Sequence, residues 1–266
     1  KGKAVHPMHM ADALLTPSVA GVMYAASAVV AGASIVELHK EEKQDLTSAA
    51  KKLPTMAVMS ALVFAGQMIN YTIPGTGSSG HLCGGLLLTS VLGPWAGFLS
   101  MIVILTIQCL FFADGGLLAL GANVWNMAFY GCFVGYFLIY RPLMRSRCFA
   151  RRGERAANRL KITLASVLGC VLTLQLGAFS VVLETTLSGI TDLPFGAFCA
   201  IMQPIHLAIG LIEGLITAAV LLFLYEARPE LLRDVRMSGE TTGKVSFKGT
   251  IAVIASAAVL VVGGLS

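Results

Sequence analysis

Long apolar segments dominate this chain, and most are long enough to cross a bilayer. A bilayer core requires about 20 apolar residues in helical form. The qualifying segments are Leu14–Val36, Leu53–Ile73, Leu82–Ala113, Leu117–Tyr140, Lys161–Leu187, Phe195–Tyr225 and Val245–Leu265. Only 12% of the residues are charged, whereas soluble domains carry about 25%. These features exclude a soluble protein and predict one all-α, polytopic membrane domain over residues 1–266.

The longest apolar segment, Leu82–Ala113, is interrupted by Gly93-Pro94. Proline lacks a backbone N–H and disfavours helix in the residue before it. We therefore predict a short helix, a tight turn and a full helix, which brings the total to about seven or eight hydrophobic helices. The first piece, Leu82–Leu92, is short for a full span and either crosses the membrane or re-enters it.

The basic residues predict the orientation. Segments 38–52, 141–161 and 226–248 hold 17 of the 19 Lys and Arg residues, and such residues collect on the cytoplasmic side of a membrane. These segments share a side only if Leu82–Ala113 crosses twice and turns inside at Gly93-Pro94. The N-terminus then lies outside, as do loops 74–81, 114–116 and 188–194, which contain no Lys or Arg.

Under this topology the histidines separate into two groups. His39 lies in a cytoplasmic loop and is expected to be a solvated surface residue, whereas His6, His9 and His81 lie outside. His206 lies within Phe195–Tyr225, where a buried histidine suggests a function, although a hydrogen bond between helices is the alternative. Gln203, Gly210 and Glu213 share its helix face. A polar chamber would bring that face to polar residues of other spans: Gln67, Asn70, Gln108, Asn123, Asn126, Gln175 and Glu184.

The outer loop 75–82 has the spacing of a phosphate-binding loop but not its chemistry. His81 and Leu82 stand where that motif has Lys and Ser or Thr, which argues against nucleotide binding. We expect a backbone-rich turn that presents one imidazole. If Met8 is the first residue of the mature chain, its amine, the amide nitrogen of His9 and the His9 imidazole can chelate one ion. With His81 they form a square of four nitrogens, which suits Ni(II) or Cu(II).

Five motifs resemble those of the CbiM/NikM family, the substrate-capture (S) components of energy-coupling-factor importers for cobalt and nickel. They span residues 8–15, 74–85, 92–97, 112–123 and 206–217, in the order of that family. The resemblance implies that the N-terminal amine, the first histidine and the outer-loop histidine hold the metal, which corresponds to Met8, His9 and His81. It implies a supporting role for His206.

The same resemblance implies the setting of the protein. Ni(II) or Co(II) is the transported substrate, and no organic cofactor is expected. The partners implied are a transmembrane coupling (T) subunit and cytoplasmic ATPases, with room for a small accessory membrane subunit, in the inner membrane of a prokaryote. Segment 1–13 is then the outer metal-binding part, 14–225 the helical core, and 245–265 an additional span.

One departure from the family pattern concerns the start of the chain. Residues 1–7 precede Met8, so we expect either that Met8 is the true start or that an upstream piece is removed. If residues 1–7 remain, the amine is lost and His6 becomes the substitute ligand. Asn70, Asn123 and Glu213 are weaker candidates for the site.

Other readings of the sequence remain open. Gly21, Ala25, Ala28 and Gly32 form a small-residue stripe, which allows close helix approach and is a candidate docking face for the coupling subunit, with internal packing as the alternative.

An intramembrane metalloenzyme using His206 and Glu213 is a rival function, although no H-E-x-x-H motif is present. A metal channel or secondary carrier is the third, although it would favour two similar halves with paired broken helices.

Overall fold

The computed structural model describes residues 10–44, 46–73, 78–146, 149 and 153–235. They form a helical bundle, as predicted. The helices are α1 (Pro17–Gln44), α2 (Leu46–Gln67), α3 (Gly85–Leu92), α4 (Pro94–Phe112), α5 (Leu120–Asn123), a π-helix (Val124–Tyr140), α6 (Arg141–Arg145), α7 (Glu154–Ser188) and α8 (Phe195–Ala227). Short 3₁₀ turns cover Asp12–Leu14 and Pro229–Leu231. The predicted additional span, Val245–Leu265, lies outside the described residues.

Five helices in the described part are long and apolar enough to cross a membrane. They are Pro17–Lys43, Pro94–Phe112, Leu120–Arg145, Glu154–Ser188 and Phe195–Ala227. The third of these is continuous through α5, the π-helix and α6. A shorter apolar helix, Leu53–Gln67, lies within α2, and with α3 the count approaches the seven or eight hydrophobic helices that the sequence predicts.

The prediction of a helix through Leu53–Ile73 is wrong at its end. Helix α2 stops at Gln67, and Asn70–Ile73 (β1) pairs antiparallel with Ser78–His81 (β2), with Asn70 opposite His81. Two physical reasons account for this. Pro74 disfavours helix in the residue before it, and Tyr, Thr and Ile favour a strand. In the hairpin, backbone N–H and C=O groups form hydrogen bonds between the two strands, in place of the hydrogen bonds that a continued helix would have made.

The break at Gly93-Pro94 is confirmed. Helix α3 ends at Leu92, α4 begins at Pro94, and Gly93 has φ 88°, a value that favours glycine. Helix α3 has eight residues and is therefore about 12 Å long, far short of the roughly 30 Å of a bilayer core. A full helical crossing by Leu82–Leu92 is excluded, since the chain reaches the turn through the hairpin, an irregular turn and a half-length helix.

Helix α3 lies in the centre of the bundle, and all eight of its residues are buried. It packs closely on the π-helix, where a Cβ added to Gly131 would lie 3.0 Å from the Cα of Gly85. Among the described helices, α7 and α8 pack against each other most extensively. A buried half-helix between long spans places its first turn deep inside the protein.

The three basic segments meet at one end of the bundle. Arg233 donates a hydrogen bond to the carbonyl of Leu92 at 3.0 Å and lies 3.5 Å from a carboxylate oxygen of Glu41. Arg145 pairs with Asp234 at 3.0 Å. The turn at Gly93 therefore lies at the same end as residues from segments 38–52, 141–161 and 226–248, as the distribution of charge predicts. We call this the inner end and the opposite one the outer end.

Candidate metal site

A small cavity of about 50 Å³ brings together residues that are far apart in the chain. Its lining includes Met10 and five residues with polar or thiol side chains: His81, Cys83, Asn123, Asn126 and His206. Met127 of the π-helix and Leu174, Gly177, Ala178 and Val181 of α7 complete the wall. The cavity therefore contains two imidazoles, two amides and a thiol in otherwise apolar surroundings.

The segment that precedes α1 is bound into the outer end of the bundle. The Met10 N–H donates to Asn123 Oδ1 at 3.1 Å, and Asn123 Nδ2 donates to the Met10 carbonyl at 3.3 Å. The Gly116 N–H donates to the same carbonyl at 3.0 Å. Asp12 Oδ1 accepts from the Ala119 N–H at 3.0 Å, just before α5. These bonds fix Met10, which is only 2% exposed, at the cavity wall.

Both imidazoles that line the cavity are held by backbone carbonyls. His81, the last residue of β2, places Nδ1 3.0 Å from the carbonyl of Leu82. His206 of α8 places Nδ1 2.9 Å from the carbonyl of Met202. A carbonyl can only accept, so each Nδ1 carries the proton and each Nε2 carries the lone pair. This tautomer is the one in which Nε2 can ligate a metal ion.

Glu213 fixes the turn that follows His81. Its two carboxylate oxygens accept from the Cys83 N–H at 2.7 Å and the Gly84 N–H at 2.9 Å, and Gln67 donates to the Cys83 carbonyl at 2.6 Å. A carboxylate at this position also complements the positive end of the α3 dipole. Glu213 is absent from the residues described as lining the cavity, so the structure assigns it to the support of His81 rather than to the cavity wall.

The structure tests only some of the predicted site residues. His81, His206 and Asn123 meet at the cavity, whereas Met8, His9 and His6 lie outside the described residues, as does the side chain of Asn70. His39 is exposed, as expected, but it lies near the end of α1 rather than in the predicted loop. Sequence reasoning did not select Cys83 or Met10 as site residues, and it treated Asn126 only as one of many chamber residues. Cys83 lies two residues after His81, and Met10 directly follows His9. This closeness in the chain was the signal by which the sequence could have identified both.

The small-residue stripe faces away from the bundle. Gly21, Ala25, Ala28 and Gly32 are exposed, and a Cβ added to either glycine would meet nothing within 4 Å. Helix α1 instead buries a different face, which includes Ala20, Ser27 and Ser34. Packing against the described residues therefore does not account for the stripe.

The described side chains do not form a complete metal site by themselves. Within residues 10–235, apart from the gaps given above, no three His, Cys, Asp or Glu residues cluster closely enough to hold an ion. The cavity offers two imidazoles, which is fewer than the four ligands of a typical site for a divalent transition metal. Further donors would have to come from water, from backbone atoms or from residues 1–9.

Comparisons with known proteins agree on one family. The CbiM family, described as a cobalt uptake substrate-specific transmembrane region, matches residues 9–231. The Archaeoglobus fulgidus protein named "putative fused nickel transport protein NikMN" is 40% identical over 88% of this chain and 70% of its own length. The cobalt transport protein CbiM of Sorangium cellulosum is 31% identical over 85% of this chain and 94% of its own. The crystal structure of a truncated transition metal transporter superposes with a TM-score of 0.68 at 32% identity, covering 83% of this chain and 99% of that one.

Proposed function

The chain belongs to the CbiM family, and from this premise we propose that it captures a nickel or cobalt ion at the outer face of the membrane for import. Family membership and the apolar helices make it a multi-pass membrane protein of a metal transport system. The observation that supports capture is the cavity, which is lined by two imidazoles held by backbone carbonyls and lies beside the anchored N-terminal segment. The basic inner end supports an outward-facing cavity.

The ligands we propose are the amine of Met8, the amide nitrogen and imidazole of His9, and His81. Met10 lines the cavity, and the Cα of the residue bonded to it lies about 3.8 Å from its own. This covalent bond to a lining residue is the reason that His9 is the first ligand we propose beyond the described residues. Four nitrogens in a square favour Ni(II) over Co(II), and Cu(II) would bind more tightly still. His206, which also lines the cavity, is the residue to which we assign a supporting role.

Transport itself requires partners in this proposal. Loop 75–82 lacks the lysine of a phosphate-binding loop, so we assign ATP hydrolysis to separate cytoplasmic subunits that act through a transmembrane coupling subunit. The exposed stripe on α1 is the face we assign to that subunit, because small residues permit close helix contact. ATP dependence of Ni(II) uptake in reconstituted vesicles distinguishes this system from a channel or a secondary carrier.

Calorimetric titration of the purified protein tests the capture function. A chain that begins at Met8 should bind one Ni(II) per molecule, at least about tenfold more tightly than a chain that retains residues 1–7, a difference of about 1.4 kcal/mol. Binding should weaken as the pH is lowered, because protons compete for the same nitrogen lone pairs. His81→Ala should abolish tight binding, and His39→Ala, a substitution of an exposed histidine at the inner end, should leave it unchanged.

Two outcomes would revise the proposal. Equal affinity and equal Ni(II) absorption spectra for the two chain lengths would remove the amine from the ligand set and make His6 the next residue to substitute. Wild-type affinity in His81→Ala would exclude this cavity as the binding site. Turnover of a substrate by the purified protein would favour the enzyme reading, although Glu213, the base that reading requires, has both oxygens bound to backbone amides.

A further inference from the structure

A polar pair borders the cavity, and the capture site proposed above does not use it. Asn126 of the π-helix donates from Nδ2 to Glu184 Oε2 of α7 at 2.8 Å. One turn further inward, Tyr130 and Ser180 share a hydrogen bond of 2.7 Å across the same two antiparallel helices. Asn126 also lines the cavity, so this pair connects the cavity to a buried carboxylate.

Each member of the pair retains one oxygen without a partner. Asn126 and Glu184 are only 6% and 5% exposed, and neither Asn126 Oδ1 nor Glu184 Oε1 has a hydrogen-bond partner among the described residues. The amide orientation is fixed, since its Nδ2 must face the carboxylate. A carboxylate in such surroundings is strongly disfavoured unless a proton or a cation accompanies it. Two neighbouring acceptors with no donor form the lining of a cation site.

The pair lies between the outer end of α7 and the level of His206. The cavity wall on α7 runs from Leu174 to Val181, and Glu184 is three residues further along, about 4.5 Å outward. Ser188 then ends the helix and accepts a hydrogen bond from the Thr16 N–H at 3.1 Å. His206 lies deeper, near the level at which Gln175 donates to the Gln203 carbonyl of α8. An ion entering along α7 from the outer end therefore reaches the pair before it reaches His206.

We propose that Asn126 and Glu184 form a transient oxygen-donor site for the incoming hydrated divalent cation, which then passes to the nitrogen ligands of the adjoining cavity. The proposal rests on the capture function given above. A hydrated ion is already surrounded by oxygen ligands, so an amide and a carboxylate oxygen can replace water without a change of donor type. The carboxylate also concentrates cations beside an otherwise neutral cavity.

The rates of Ni(II) binding test this role, because a site occupied only on the way in changes rates without changing the final complex. Glu184→Gln retains an acceptor for Asn126 but removes the charge. Stopped-flow mixing with Ni(II) should show association and dissociation both slowed by about tenfold or more, while the dissociation constant changes by no more than about threefold. Glu184→Asp should retain most of the wild-type rate.

Tyr130→Phe is the matched control, since it removes the neighbouring hydrogen bond between the same two helices without touching the pair. Its rates should equal those of wild type. Wild-type rates in Glu184→Gln would overturn the proposal, as would equal slowing in Tyr130→Phe, which would indicate a packing effect. A large loss of affinity in Glu184→Gln would overturn the transient role and make Glu184 part of the final site.

Mn(II), which prefers oxygen ligands, tests the pair independently of tight nickel capture. In His81→Ala, electron paramagnetic resonance should detect weak Mn(II) binding, and the added substitution Glu184→Gln should remove it. Mn(II) binding that survives this second substitution excludes the pair as a cation site. If wild-type protein binds no Ni(II) but the Mn(II) signal still depends on Glu184, the capture proposal fails and the oxygen site stands.

Discussion

The two ends of helix α3 are held by groups of opposite charge. At its first turn, the Glu213 carboxylate accepts two backbone N–H groups. At its last turn, the Arg233 guanidinium donates to the Leu92 carbonyl, and the Arg233 N–H lies 3.4 Å from the Ser90 carbonyl. Each charge opposes the partial charge of the helix end that it contacts. One short helix thus connects the turn behind the candidate metal cavity to the basic inner end.

The surroundings of these ends differ in a way that relates to function. The outer end is held together mainly by backbone and amide groups, as in the bonds between Met10 and Asn123. The inner end carries ion pairs, such as Arg145 with Asp234 and Arg159 with Glu226. A cavity whose described lining has no formal charge can accept a cation without displacing a resident one, whereas the inner charges orient the protein in the membrane. Outer substitutions should therefore alter metal binding, and inner substitutions should alter stability.

Among residues outside the proposed ligand set, substitution of Glu213 should have the largest effect. Glu213→Gln replaces one acceptor oxygen with a donor that faces the Cys83 or Gly84 N–H, which leaves a buried amide unsatisfied and displaces the turn after His81. We expect the affinity for Ni(II), measured by calorimetry, to fall by about 100-fold. Glu226→Gln is the matched control, because it makes the same change at the inner end of α8, the helix that also carries Glu213. It should leave the affinity for Ni(II) unchanged. Equal losses in both variants would contradict a division of roles between the ends.

Substitution of Asn123 should have the next largest effect on metal binding. Asn123→Ala removes both hydrogen bonds to the Met10 backbone, so the N-terminal segment loses its fixed position at the cavity. We expect an affinity about 10-fold to 100-fold weaker with the helical circular dichroism unchanged. Asn158 donates to the Tyr225 hydroxyl at the inner end, and Asn158→Ala should not change metal affinity. Wild-type affinity in Asn123→Ala would show that this anchor does not position a ligand.

Substitution of Arg233 should act on stability instead. Arg233→Ala removes the cation at the end of α3, and such contacts contribute about 0.3–1 kcal/mol. A slightly lower melting temperature with unchanged Ni(II) affinity is expected from thermal unfolding and calorimetry of the same sample. A fall in affinity comparable to that of Glu213→Gln would mean that α3 transmits changes from the inner end to the cavity, and the comparison of the ends would then need revision.

The sequence predicted the parts of the fold that depend on local chemistry. Gly93-Pro94 ends one helix and begins another through the properties of those two residues alone, and the structure confirms it. The end of α2 was not predicted, since hydropathy does not distinguish an apolar helix from an apolar strand that is paired inside the protein. The π-helical geometry of Val124–Tyr140 also has no simple sequence signal, and such helices are rare.

The candidate site shows the same limit. Helical periodicity placed His206 and Glu213 on one face, but it could not show that Glu213 binds backbone amides from another segment. The pairing of Asn126 with Glu184 depends on the register between the π-helix and α7, which no local pattern encodes. His81 was found because a glycine-rich loop carries it between two apolar segments. Single polar residues in long spans could only be grouped into a chamber, because their partners are set by tertiary packing.

The smallest effect on this protein alone is expected for the exposed stripe of α1. Gly21→Leu and Gly32→Leu add side chains where a Cβ would meet nothing within 4 Å, and leucine favours helix over glycine. Ni(II) affinity and thermal stability should stay at wild-type values or rise slightly. Gly121→Ala is the contrasting variant, because its Cβ would lie 2.7 Å from the backbone of Tyr24 on the buried side of α1, and it should lower stability.

The same stripe variants become informative once the partners are present. If the coupling subunit docks on this face, leucine side chains would separate the two helices, because close packing requires small residues. Uptake of Ni(II) into vesicles that contain the complete importer should then fall severalfold while binding by the isolated protein does not. Normal uptake by the doubly substituted protein would exclude the stripe as the docking face. The search for that face would then move to other exposed apolar residues of the spans, beginning with Leu207 and Leu211 on α8, both 45% exposed.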